Sequence, residues 1–573
     1  MAIKYVDPLG TDDASHGSGA GADAWATIHY ALRYGGMAHG DTLIVESGTY
    51  SAFYSTLQTL TTDISGDSTT DGPLLVQSTG AVIVDVPANA ATQFILPAAG
   101  DVVRFKDIKF QNTLGPTAAT FFWLRLNATG SGLEFDNCDI DLTGTANQIV
   151  RVDGAGITCS FALENGTRLH GTGDRGIFTK NCAQLNFTFL DSYIYGCKWG
   201  IDILLPINMY ARRSIVTSCT TRNIYLHGAG STFDVEECLL TGSDVLASET
   251  IYMDTATAPD YIANPSRWSW KNNKTWLFGV QDTNTLGKIL SYVSHITPWD
   301  NSNWYADPCI TEAQAIAGEF GNVDFTLPTI TVGTKAAFLG DSVMYGNVAT
   351  SDATAAWSMF GTFSGLTMVD NDVASIGGQG IHSCRFWADR MMQADCPRFC
   401  LVGIGVNNML DGVFYPALET AETIAGHIVQ MMQKLEDNGV IPFWIGVAGQ
   451  SDPTKNAEST DATNTLVAAA CATNGWPCMH WLDVMRALRP SDWETTYFDA
   501  LATNLHPNDA GHYVIADVAD RLYQQYATGA NWGARTPFDS TLPALTLAPT
   551  CPGKLKGVQE WKKVASAKEI GKY

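Results

Sequence analysis

At 573 residues the chain is longer than one hydrophobic core usually serves, so at least two domains are expected. Its 53 glycines and low charged fraction of 16%, with many Thr, Asn and Asp, point to β-rich architecture with frequent turns. A formal net charge of −24 argues against nucleic acid and anionic membrane surfaces as partners, and no apolar run is long enough to predict membrane insertion.

The first residues, Met-Ala-Ile-Lys-Tyr-Val-Asp-Pro, show no basic stretch ahead of an apolar run, so no secretory signal is expected. The composition nonetheless resembles that of proteins working outside cells. Assembly into a particle released by lysis would reconcile the two. The thirteen cysteines form no C-x-x-C pair, which argues against a zinc knuckle or a thioredoxin-like site. Most read as buried small apolar residues of a reducing cytosol.

In chain order, a Gly/Ser/Asp loop from Asp7, an amphipathic segment from His29 to Met37 and the strand pattern G-D-T-L-I-V-E-S-G-T-Y form a predicted cap on a β-stack. Short strands with polar ends follow at Phe105 to Asn112, Phe135 to Gly144, Leu163 to Gly171, Leu190 to Cys197, Ala211 to Cys219 and Val235 to Gly242. Aligned on Ile108, Ile140, Leu169, Ile194, Ile215 and Leu239, they recur every 21 to 32 residues, as in a solenoid with one apolar strand per unit. No second helical pattern accompanies each unit, which favours a parallel β-helix over helical repeats.

The stretch from Tyr5 to Tyr50, with later support from Lys271 to Trp276 and Trp304 to Leu327, resembles the pectate-lyase-like right-handed β-helix family over residues 1–328. That family can cleave polysaccharides with paired carboxylates, and Asp174, Asp191, Asp202, Glu236 and Glu237 are candidates; the competing reading is solvated turn residues. Cys138, Cys197, Cys219 and Cys238 are expected to form an internal ladder. Tryptophans 268, 270, 276, 299 and 304 either stack on sugar rings or cover the end of the stack.

After a linker at 329–334 the pattern turns to strands alternating with helices, which predicts a three-layer α/β domain over 335–527. Strands are expected at Ala336–Leu339, Thr367–Val369, Arg398–Ile404, Ile441–Val447 and Cys478–Leu482. Helices are expected at His382–Ala394, Pro416–Asn438, Thr460–Asn474 and Asp509–Tyr526. The second helix places Ile424, Ile428, Met431 and Met432 on one stripe, with Lys434 off it.

Four blocks follow one another at strand ends and helix starts: Gly340-Asp341-Ser342, then V-A-S-I-G-G-Q-G at Val373 to Gly380, G-I-G-V-N-N at Gly403 to Asn408, and N-L-H-P at Asn504 to Pro507. This ordered set resembles the SGNH (GDSL-type) hydrolase family. The resemblance implies Ser342 as nucleophile and His506 as general base. The N–H groups of Ser342 and Gly378 and the Asn407 amide would form the oxyanion hole. A serine hydroxyl needs such a base to attack near neutral pH, and histidine titrates in that range. No cofactor and no metal are implied.

The family's triad acid falls three residues before the histidine, where this chain has Thr503, which offers no negative charge to an imidazolium. Three arrangements are open: a Ser–His dyad oriented by a backbone carbonyl, Asp499 reaching the ring from another loop geometry, or a weak or inactive site kept for binding. Asn408 stands where the family has Asp, as loop support. His382, His427, His480 and His512 carry no motif and read as packing or surface residues. The extension from 528 to 573 is basic after Cys551, with six lysines against two glutamates, and reads as a docking segment.

A β-helix followed by an SGNH esterase resembles phage tailspike and tail-fibre proteins. The expectation is a virion-associated, homotrimeric carbohydrate esterase, assembled in the host cytoplasm beside other tail proteins. It would act outside the cell by removing O-acetyl groups from a host surface polysaccharide. A non-catalytic receptor-binding protein, and a lyase or glycosidase acting from the β-helix, are the competing expectations.

Overall fold

The computed structural model describes residues 2–51, 60–61, 64–85, 95–96, 98–111, 122–126, 128–141, 148–153, 156–171, 175–180, 182–204, 206–226, 230–242, 249–253, 267–277, 301–375, 380–409, 420–447, 457–498 and 506–528. They divide into two compact units. The first holds those up to 277 and from 301 to Leu327, the second those from Pro328 onward. Among the described residues, no helix is long and apolar enough to cross a membrane.

In the first unit the chain passes repeatedly through three stacks of strands in a fixed order. Gly132–Asp136, Asp139–Asp141 and Gln148–Asp153 make one pass, and Thr158–Glu164, Arg168–His170 and Arg175–Lys180 the next. Each strand pairs in parallel with its counterpart one pass later, so Leu133 meets Phe161, Ile140 meets Leu169, and Val150 meets Ile177. Equivalent side chains therefore lie above one another. Phe105, Phe135, Phe161 and Phe187 are all buried, with ring centroids 5.5 Å apart for the first pair and 5.8 Å for the last. Phe105 and Phe135 share one rung and Phe161 and Phe187 another; burying one such ring stabilises the fold by about 2 kcal/mol, which favours aromatic residues at both.

From Val102–Gln111 onward a left-handed residue turns the chain at the first corner of successive passes. Asp107, Asn137, Asn165, Asp191, Arg213, Glu237 and Asn272 all have φ between 45° and 59°. Asn and Asp tolerate this conformation best, because their short polar side chains can bond locally. Asn137 Nδ2 donates to Asp107 Oδ1 one pass earlier (2.7 Å), and the Arg213 fork holds both Asp191 oxygens (2.7 and 2.6 Å).

The repeat alignment is right in the middle and shifts at both ends. Ile140, Leu169 and Ile194 share one rung, but Ile140 pairs with Phe110 rather than Ile108, and Ile194 with Val216 rather than Ile215. Ile215 and Leu239 form the neighbouring rung and pack with Tyr195, Ile310, Ala315 and Phe320, so these strands are apolar on both faces. The closing segment covers the outer face and removes the alternation that would mark the register.

The opening segment supplies the first rung, with Ile3–Val6 pairing in parallel with Thr42–Val45. The amphipathic stretch is the helix Ile28–Tyr34, capped by Thr27, which buries Ile28, Ala31 and Leu32. Cys197 and Cys219 are neighbours at one corner, whereas Cys138 and Cys238 occupy another corner with Thr167, Ser192 and Ser214 between them, so the expected four-cysteine ladder reduces to one adjacent pair. Trp270 and Trp304 are buried and Trp276 stacks on Tyr305 (5.0 Å), so these tryptophans cover the stack; Trp299 lies outside the described residues.

The second unit has a parallel sheet in which Ala336–Gly340 pairs with Phe399–Gly403, which pairs with Ile441–Trp444. Single-residue bridges extend it, Met368 beside Ala336 and Cys478 beside Trp444. The expected strand at Thr367–Val369 is thus reduced to one bridge, and that at Cys478–Leu482 gives way to the helix Trp481–Leu488. This helix buries Trp481, Leu482, Val484 and Met485, a 3.6-residue stripe that was read as an apolar strand. The helices Ile381–Asp395, Ala421–Asp437, Ala457–Asn474 and Asp509–Thr528 lie where expected, while Ala356–Ser364 was not anticipated. Lys434 is buried rather than solvated: its Nζ lies 2.6 Å from Asp389 Oδ1 in the facing helix. A buried cation needs such a partner.

Candidate active site

The strand Ala336–Gly340 ends in a tight turn onto the short helix Ser342–Tyr345. Gly340 is required there, because an added Cβ would overlap the Gly403 carbonyl oxygen and the Met344 side chain. Asp341 caps the short helix by accepting from the Val343 N–H (3.0 Å) and is fully enclosed. Burial pushes its carboxyl up to about 7, against the hydrogen bonds donated by the N–H groups of Val343 and Gly405. Sequence reasoning missed this role; the available signal was an Asp at the last position before a strand-to-helix turn.

Ser342 is 4% exposed at the first position of that helix. His506, which precedes the helix Asp509–Thr528, places Nε2 2.8 Å from Ser342 Oγ. The nucleophile and the base expected from the sequence are therefore within hydrogen-bonding reach.

Asn407 is buried in the short helix Val406–Met409, next to the end of the strand Phe399–Gly403. Its neighbour Asn408 accepts a hydrogen bond from the Ile381 N–H (2.8 Å) at the start of the helix Ile381–Asp395. Asn408 thus ties the third block to the second, the support role expected of it. Gly378 lies in 376–379, outside the described residues; the backbone on its near side is held by the bridge from Gly340 to Ser375 and by Ser375 Oγ donating to the Phe338 carbonyl (2.6 Å). Asp499 and Thr503 also lie outside the described residues, in 499–505.

The remaining histidines separate. His512 is buried and donates from Nε2 to the Asn347 carbonyl (3.2 Å). His427 Nδ1 accepts from Arg385 (2.7 Å). His480 stands between Cys478 and Asp483, a contact its sequence surroundings did not announce. Among the described residues no group of three or more His, Cys, Asp or Glu side chains is placed to hold a metal ion.

The carboxylates singled out in the first unit are occupied: Asp191 pairs with Arg213, Asp202 with Arg175, and Glu236 with Arg212. Glu237 is the left-handed corner residue of its pass, and Asp174 lies outside the described residues.

Residues 338–514 match the family of GDSL-like lipases and acylhydrolases, so the chain carries a GDSL/SGNH hydrolase domain there, of a family whose members hydrolyse esters. None of the proteins of curated function matches the sequence. Solved structures that it matches include a G-D-S-L family lipolytic protein from Desulfitobacterium hafniense, 19% identical, covering 33% of this chain and 99% of that one with a TM-score of 0.27. A lipase/acylhydrolase from Enterococcus faecalis is 13% identical and covers 34% and 95%, with a TM-score of 0.28. A mutant acetyl-xylooligosaccharide esterase from Geobacillus stearmophilus is 16% identical and covers 36% and 98%, with a TM-score of 0.28.

Proposed function

We propose that the protein is a serine esterase that removes O-acetyl groups from a surface polysaccharide. The observation that carries this reading is the 2.8 Å contact between His506 Nε2 and Ser342 Oγ at the end of the first sheet strand. Ser342 Oγ attacks the acetyl carbonyl carbon while its proton passes to His506. The oxyanion is met by the N–H groups of Ser342 and Gly378 and by the Asn407 side-chain amide. Collapse breaks the bond to the sugar oxygen, which takes the proton from His506. Water then repeats the attack with the same base and releases acetate.

Thr503 supplies no charge, so the reading gives His506 a backbone carbonyl as its orienting partner in a Ser–His dyad. Asp499 is the alternative partner, and Asp499→Asn separates the two: a dyad keeps its rate, whereas a triad loses orders of magnitude.

The polysaccharide follows from pairing an esterase with a large parallel β-unit. We read that unit as a right-handed parallel β-helix of the pectate-lyase-like kind, on the strength of its repeated passes and recurrent corner residues. The proposal extends to a homotrimer in a virion tail, assembled in the host cytoplasm among other tail proteins and acting outside the cell on host polysaccharide. The 528–573 extension would dock it.

The test is acetate release from an O-acetylated polysaccharide by the wild-type chain and by Ser342→Ala. Release that stops in the variant supports the esterase, and equal release in both sinks it. Depolymerisation that survives Ser342→Ala would move the activity to the first unit, a reading the ion-paired state of Asp191, Asp202 and Glu236 disfavours. Light scattering of the intact chain tests the trimer.

A further inference from the structure

The second unit holds another nucleophile beside another base. Cys478, the residue that bridges Trp444 at the sheet margin, lies with Sγ 3.8 Å from His480 Nε2. The other ring nitrogen, Nδ1, is 3.2 Å from Asp483 Oδ2, in the first turn of the helix Trp481–Leu488. Arg486 Nη1 stands behind this carboxylate, 3.7 Å from Asp483 Oδ1 and 3.0 Å from Asp461 Oδ1. From the helix Ala457–Asn474 a second thiol, Cys471, is fully buried and hydrogen-bonded to Cys478.

The electrostatics set Cys478 apart from the structural thiols. Burial is the largest effect on Cys138, Cys197 and Cys238 and pushes them up to about 12. At Cys478 the hydrogen bond from Cys471, opposed by burial and helped by His480, brings the thiol down to about 6. Burial works against a charged His480 ring, but its bonds to Asp483 and Cys478 prevail and raise it to about 9. A thiolate beside an imidazolium is the arrangement that makes a cysteine reactive.

We propose that Cys478 is a nucleophilic thiolate held by His480 and Asp483, a modification site for peroxides and other small soft electrophiles, with Cys471 as its resolving thiol. With hydrogen peroxide, the Cys478 sulfur attacks one oxygen. The S–O bond forms as the O–O bond breaks, two electrons pass from sulfur to peroxide, and the departing hydroxide takes the His480 proton and leaves as water. The Cys471 thiol then attacks the sulfenic sulfur. The S–S bond forms, the S–O bond breaks, and hydroxide leaves as a second water with the Cys471 proton. None of these steps involves Ser342, so the site stands or falls apart from the esterase.

The experiment is brief iodoacetamide labelling of the full native chain from about pH 5 to 9, with peptide mass mapping of every cysteine. Limited access scales the Cys478 rate but does not change the shape of its pH profile. The expected profile levels off above about pH 7, while that of a reference cysteine peptide keeps rising about tenfold per pH unit towards 8.5. His480→Gln shifts the Cys478 plateau upward by more than one pH unit, and Asp483→Asn, at a mostly exposed side chain, shifts it less.

A Cys478 profile that follows the reference peptide, or no labelling at all, overturns the proposal. So does a plateau unmoved by both variants. Should His480→Gln unfold, buried Cys384 and Cys400 become labelled too, and the wild-type and Asp483→Asn profiles decide. Peroxide treatment is expected to yield a Cys471–Cys478 crosslinked peptide, replaced in Cys471→Ser by a further oxidised Cys478. Absence of that crosslink in the oxidised wild type overturns the resolving role.

Discussion

His506 Nε2 and Ser342 Oγ lie 2.8 Å apart although 164 positions separate them in the chain. The serine is fixed by the turn after Gly340, and the histidine lies just before the last helix. Under the proposed esterase reading the pair acts as one device, so Ser342→Ala and His506→Ala are each expected to lower kcat on an acetyl ester by at least about a thousandfold, and the double variant is expected to be no worse than either single one. Steady-state rates on p-nitrophenyl acetate measure this. A double variant whose loss equals the product of the two single losses would show that the residues act separately.

Asn407 is expected to act only once charge develops on the carbonyl oxygen. Asn407→Ala should therefore cost roughly 100- to 1,000-fold in kcat and leave KM within a few-fold. A rise in KM at constant kcat would instead make Asn407 a substrate-binding residue.

The four sequence blocks were legible because each is short and each leads into a helix, the first and third directly from a strand. Ser342, Asn407 and His506 need particular chemistry at positions a parallel sheet brings to one edge. The repeated parallel passes were legible from recurring apolar strands with polar ends; the left-handed corners that select Asp and Asn at 107, 137, 165 and 191 were not read from the sequence. Register was lost where Ile215 and Leu239 are buried on the outer face as well, because period-2 alternation disappears when both faces are covered. His480 was illegible: its partners Cys478 and Asp483 are only two and three residues away, but which way each points depends on the turn from sheet margin to helix. The burial of Lys434 was not legible because its partner Asp389 belongs to another helix, and helical periodicity on one element cannot report it.

Gly340 tests the turn that presents Ser342. With no room for a Cβ beside the Gly403 carbonyl oxygen and Met344, Gly340→Ala forces the two strands or the short helix to shift. The expected loss is about 3 kcal/mol or more of stability in the second unit, with activity falling alongside it. Calorimetry of the full chain measures it. A transition temperature within about a degree of wild type would mean that the turn yields easily.

His512 sets the acid limit of the same unit. It is buried, donates to the Asn347 carbonyl, and burial lowers its ionisation from the ordinary histidine range to about 4. Above about pH 6.5 the ring is neutral in both folded and unfolded chains, and no stability depends on it. As pH falls from there to 4, the unfolded chain takes up a proton that the folded chain refuses, so stability is lost across that window and no further below it. The full loss is about 3 kcal/mol, from a difference of about two and a half pH units. His512→Gln removes the titration and keeps a side-chain N–H for Asn347. Its transition temperature is expected to lie below wild type at pH 7, and the gap should narrow steadily between pH 6.5 and 4. A gap that stays constant, measured by calorimetry across that range, would place the acid sensitivity of the unit elsewhere.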